Sequence, residues 1–264
     1  MNSHRLTVIS LILLVMSACS PRPTPTLCAP IQQGLDFLIT QLNPSIGLLR
    51  DSPHVKPHTY WLTNDNALAA YVFAQLGKPD LATNITEAIK KYGQPSNGLI
   101  EVVWGEPIDF PPHIEREAKV LFVGEDEIRQ EVHTDGARFD DWADYANLAF
   151  LGALNESASA RGNPEQARKI FSQAMTRFDG TGFADRAFAG SYETYKVALA
   201  LYVGAKIRAL PPDQKQKLLT VLLARQAPSG GFYTNYPDSE GPGRDTNTET
   251  TSFALLALHT AGCD

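Results

Sequence analysis

The chain has 264 residues, 43% of them apolar and 20% charged, with 19 glycines, 18 prolines, three cysteines and a formal charge of −6. That profile excludes a collagen, a coiled coil, a disulfide mini-scaffold and a wholly disordered chain. Nucleic-acid binding sets Lys and Arg against phosphates, and an acidic chain with no basic block offers no such footprint, so no nucleic-acid partner is expected. From the start, Met1 to Arg5 is polar with one Arg, and Leu6 to Met16 is an apolar run too short to span a bilayer. Residues 1–18 therefore read as a signal peptide. The alternating prolines of Ser20-Pro21-Arg22-Pro23-Thr24-Pro25-Thr26 favour an extended tether over 19–30, with the folded domain over 31–264.

Along that domain the strongest signal is self-similarity. A Gly followed by a large apolar residue recurs at Gly47-Leu48, Gly98-Leu99, Gly182-Phe183 and Gly231-Phe232. Before each lies an amphipathic segment: Ile31 to Leu42, Leu81 to Tyr92, Ala167 to Phe178, and Gln214 to Arg225. After each comes a loop and a more apolar helix: Asn64 to Leu76, Asp141 to Leu154, Glu193 to Ile207, and Thr248 to Thr260. A helix charged on one face belongs outside and one apolar all round belongs inside, so the pattern predicts about four hairpins in two layers. The interval between Gly98 and Gly182 is longer than the others, and its excess maps onto a stretch of different period. Leu99 to Trp104, Ala118 to Val123 and Ile128 to His133 read as strands, with Gly124 to Glu127 as a hairpin connection. A small antiparallel β insert at about 99–135 is expected.

Met16-Ser17-Ala18-Cys19 resembles the lipobox of bacterial lipoproteins, which implies that Cys19 is lipidated and that the partner of the tether is a membrane surface. Export would place Cys28 and Cys263 where disulfides persist, and the two are expected to pair. Gln226-Ala227-Pro228-Ser229-Gly230-Gly231-Phe232 and Gln94-Pro95-Ser96-Asn97-Gly98-Leu99-Ile100 resemble the Gln-Trp repeat of the terpenoid cyclase and protein prenyltransferase α/α toroids. The resemblance implies a mainly α fold, an α/α toroid or a curved helical-hairpin solenoid, with the Gln capping a helix and the aromatic packing between repeats. The family's catalytic motifs are absent. Asp140-Asp141-Trp142-Ala143-Asp144 matches the D-D-x-x-D metal motif of class I terpene synthases, but a cap at a helix start, with Asp141 as N-cap, is the plainer account.

Aligned on their apolar runs, the inner helices put Asn64, Asp144, Glu193 and Glu249 in one column, with Asp65 beside it. In a toroid such a column would ring the mouth of a central bowl. Trp61, Trp142, Tyr192 and Tyr233 fall in the same loops or helix starts, and flat aromatic faces suit sugar rings. Three readings stay open: a bowl that binds a glycan or another small polar ligand, an (α/α)-barrel glycoside hydrolase or polysaccharide lyase using the carboxylates as acid and base, and a non-catalytic envelope scaffold. The sequence implies no metal and no cofactor, because its histidines have no ligand spacing and it carries no phosphate-binding loop.

Overall fold

The computed structural model describes residues 27–93, 99–113, 116–133, 136–236 and 245–262. Their helices are α1 (Cys28–Gln41), α2 (Leu68–Gln75), α3 (Pro79–Tyr92), α4 (Ile100–Val103), α5 (Ala146–Ala158), α6 (Pro164–Met175), α7 (Thr194–Lys206), α8 (Pro212–Leu223) and α9 (Thr248–Ala261). The strands are β1 (Leu42–Asn43), β2 (Leu48–Leu49), β3 (Thr59–Trp61), β4 (Arg116–Val123), β5 (Asp126–His133), β6 (Tyr192–Glu193) and β7 (Asn235–Tyr236). The fold is mainly helical, with small sheets. Among the described residues no helix is long and apolar enough to cross a membrane.

The two expected helix types separate as their patterns require. α3, α6 and α8 each start on a Pro, whose fixed φ and missing N–H suit the first helical position. Each buries one face only, such as Ala167, Phe171 and Ala174 of α6. α5, α7 and α9 are buried on nearly every side. α7 lies between α5 and α9, and α9 also packs against α1 and α2.

The Gly-apolar turns form matching short antiparallel pairings, Leu42 with Leu49, Phe178 with Phe183, and Gln226 with Phe232. At Gly182 a Cβ would lie 2.6 Å from Tyr192, and at Gly231 it would lie 2.8 Å from Phe37, so these turns have room only for Gly. Gln226 Nε2 donates to Gly230 O at 2.9 Å and to Pro30 O at 2.8 Å, fastening the last turn to the first helix. The corresponding turn at Gln94 to Gly98 lies outside the described residues.

The insert differs from expectation in two ways. Leu99 to Trp104 is no strand: Ile100 to Val103 make one helical turn, α4, with Ile100, Val102 and Val103 buried. A strand would send alternate side chains to opposite faces, whereas one turn of helix collects Ile100 and Val103 on one side, and core packing outweighs β-branched propensity. β4 and β5 do form a hairpin, closed by the two residues Gly124 and Glu125, with Gly124 at φ +66°. The sheet is mixed, because β3 joins β5 in parallel. β4 is one of its two edge strands, and Val120 to Val123 are exposed there, Phe122 by 65%.

Cys19, Cys263, the leader and most of the tether lie outside the described residues, and the expected Cys28–Cys263 pairing lies outside them with Cys263. The ends that would carry it are adjacent: Leu27, just before α1, and Gly262, just after α9, line one small cavity.

Candidate functional site

A cavity of about 430 Å³ opens where the inner helices begin. Leu99, Ile100 and Val103 of the α4 segment, Leu148 and Leu151 of α5, and Leu199 of α7 make its apolar floor. Asn64, Asn147, Glu193 and Glu249 supply polar groups, and the rings of Phe139, Tyr145, Tyr195 and Phe253 complete the lining. These rings pair as Phe139 with Tyr145, centroids 5.2 Å apart, and Tyr195 with Phe253, 6.2 Å apart. Apolar walls with a few polar groups, at this volume, are the usual makeup of a small-molecule site.

Three members of the expected column, Asn64, Glu193 and Glu249, line this cavity, and the fourth does not. Asp144 ends a short 3₁₀ turn, Trp142–Asp144, and α5 begins only at Ala146. It therefore turns out to solvent, where it pairs with Arg186 at 3.5 Å and Arg177 at 3.6 Å, while Asp141 pairs with Arg186. Asn147, the second residue of α5, takes the place that Glu249, the second residue of α9, holds in its own helix. Asp141 is not a side-chain cap either. The α5 start is satisfied from a distant loop, by Asp185 Oδ2 accepting from the Ala146 N–H at 2.7 Å.

None of the four expected aromatics lines the cavity. Trp61 lies under the Arg129 guanidinium, 5.3 Å from the ring centre. Trp142 meets Phe110 edge-on at 5.0 Å and sits on Gly152, where a Cβ would lie 2.7 Å from its ring. Tyr192 stacks on Phe188 at 4.7 Å and donates to Asp179 at 2.5 Å. Tyr233 pairs with Thr246 in a β-bridge. Tyr145 and Tyr195 do line it. Tyr145 directly follows the column residue Asp144 and Tyr195 follows Glu193 by two positions, offsets that do not put two side chains on one helical face, so helical periodicity carries no signal for either.

The two rim glutamates have different backing. Glu193 reaches Lys196 Nζ at 2.6 Å, and that ammonium, 2% exposed, also contacts Asp185 Oδ1 and Oδ2 at 2.9 and 2.7 Å. Asp185 accepts in addition from Ala146 N and Ala187 N, so its carboxylate is fully engaged. Behind Glu249 stands Asp65, 2% exposed, with Oδ2 lacking a hydrogen-bond partner among the described residues. Burial holds the Asp65 carboxyl well above the ordinary range, and the neighbouring Asp51 and then Glu249 add to that. Asp51 is itself raised, by burial and then by Asp245, against a hydrogen bond from Asn247 and the more distant Arg129.

The local backbone explains the placing of Asp65. Leu62 to Ala67 form a π-helical turn, a feature common at functional sites. It presents Asn64 to the cavity, buries Asp65, and lets Asn66 clamp β2 by accepting from Leu49 N at 2.7 Å and donating to Leu49 O at 3.0 Å. Among the described residues no three His, Cys, Asp or Glu side chains come together to hold a metal ion. No protein-family model matches this chain, and no curated protein matches it either.

Proposed function

We propose that this is a lipid-anchored protein of the cell envelope, held to a membrane through Cys19, whose α/α toroid binds a glycan in the cavity at its inner-helix starts. The cavity carries the reading: about 430 Å³, with Asn64, Asn147, Glu193 and Glu249 as polar groups and two aromatic pairs in the walls. Sugars combine hydroxyls that need polar partners with C–H faces that pack on rings, and this lining offers both. The toroid reading is supported by the neighbours of α9, which touches α1, α2 and α7, and by the Gln226 bond to Pro30 that ties the last hairpin to the first. The adjacency of Leu27 and Gly262 supports the Cys28–Cys263 bridge.

Native mass spectrometry of the full chain with a panel of neutral oligosaccharides tests the binding reading. We expect at least one intact oligosaccharide to be retained, and retention to fall at least tenfold in Asn147→Leu, which keeps the volume but removes the polar group. Retention unaffected by that change would move the binding site elsewhere. One observation favours a second reading, glycoside cleavage: Asp65, a buried acid, stands behind the rim carboxylate Glu249. In the same measurement cleavage would appear as shortened sugars.

A further inference from the structure

The mixed sheet has two edges, and they are finished differently. At the β3 edge the Asp51 N–H donates to Thr59 O at 2.7 Å, and Thr59 and Tyr60 are buried. At the β4 edge the backbone of Lys119 to Val123 bonds, among the described residues, to β5 alone. Proteins keep such an edge from pairing with another chain by placing a proline, a bulge or charges along it. β4 has an unbroken register with β5 and no Pro, and its charges end at Lys119, before the uncharged run Val120-Leu121-Phe122-Val123. Of the eight exposed large apolar side chains among the described residues, these are four, in consecutive positions. An exposed apolar run on an unpaired edge is a template for a further strand.

The flanking charges select that strand. Lys119 precedes the run, Glu125 follows it in the hairpin turn, and both are exposed. A twofold axis through Phe122 lays two copies of β4 antiparallel, with Phe122 against Phe122, Leu121 against Val123, and Lys119 against Glu125 of the second copy. Lys119, Leu121, Val123 and Glu125 alternate with Phe122, so each of these pairs shares a face of the sheet. Moving the axis to Leu121 sets Lys119 against Val123 and loses the charge pair. A membrane surface fits the hairpin less well, because its tip carries Glu125 and Asp126, which anionic headgroups repel.

We propose that two copies of this chain pair through β4, antiparallel about Phe122, joining their three-stranded sheets into one of six strands. Such a closed, self-complementary contact is the commonest way for identical chains to assemble. No β4 residue lines the cavity at the inner-helix starts, so the proposal stands apart from the glycan reading.

Sedimentation velocity of the full chain over a concentration series tests this. One strand against one strand is a small interface, so we expect a reversible dimer with a Kd on the order of 10 µM, followed up to about 200 µM. Phe122→Asp sets two like charges together on the axis and should weaken the dimer roughly twentyfold. Lys119→Glu and Glu125→Lys should each weaken self-association roughly fivefold, because each brings like charges face to face twice. An equimolar mixture of these two variants should recover the dimer, since every pair then joins opposite charges, and that recovery also shows both variants to be folded. A monomer throughout the series would overturn the proposal, as would a dimer indifferent to Phe122→Asp. Loss in both charge variants without recovery in the mixture would overturn it as well.

Discussion

Asp185 and Asp65 are both buried carboxylates behind the rim of one cavity, and their surroundings are opposite. Asp185 has a buried ammonium against both oxygens and two backbone N–H groups as well. Asp65 has two acidic neighbours and one oxygen without a partner among the described residues. The first is a structural joint, since its bonds hold the start of α5 to the loop at Asp185 and to α7. The second has one backbone hydrogen bond, with Trp61 of the same turn, and a buried carboxyl among acidic neighbours is the kind of group found at working sites.

Breaking the Asp185 joint should have the largest effect. Lys196→Met leaves the carboxylate buried without its counterion, and removal of one partner from such a pair costs about 3–5 kcal/mol. Urea unfolding with coincident optical probes measures it, and a loss under 1 kcal/mol would make the joint a surface-like pair. The opposite change is expected at Asp65. An isosteric Asp65→Asn should stabilise the protein by about 1–3 kcal/mol at neutral pH, the range for relieving an unsatisfied buried group.

The sign of its pH dependence is fixed by linkage. The folded-state pKa of Asp65 lies above its unfolded value. Between the two, the unfolded chain has released a proton that the folded chain keeps, so this group's contribution falls as pH rises through that window and vanishes below it. The advantage of Asp65→Asn should therefore be present at pH 7 and disappear in acid, as followed by melting temperature across a pH series. Smallest of all, Asp144→Ala should cost less than 1 kcal/mol, because its pairs with Arg177 and Arg186 are solvated. A larger loss in the same melts would show that Asp144 resembles Asp185 rather than an ordinary surface charge.

Much of the helical frame was legible in the residues. One-sided charge on Leu81 to Tyr92 and its absence in Thr248 to Thr260 separate outer from inner helices, because water tolerates one face of the first and no face of the second. Gly182 and Gly231 mark turns through close approach to Tyr192 and Phe37. The column at the helix starts was legible in part. Asn64, Glu193 and Glu249 converge, whereas Asp144 escapes through a 3₁₀ turn that bonds to the Arg186 loop, far away in sequence. Asp65 stood beside the column in sequence, but its acidic surroundings depend on Asp51 and Glu249 arriving from other segments.

The sequence by itself determined the alternation of outer and inner helices, the hairpin at β4 and β5, and an acidic set of residues at the helix starts, since all three depend on local periodicity and residue type. Only the tertiary structure decided that Leu99 to Val103 would turn into the core, that Tyr145 and Tyr195 rather than the tryptophans would line the cavity, and that one buried carboxylate would receive a lysine and the other two acidic neighbours. Those outcomes depend on which distant segments meet. Burial makes such meetings matter, because a charge costs little in water and several kcal/mol once its partner is missing inside.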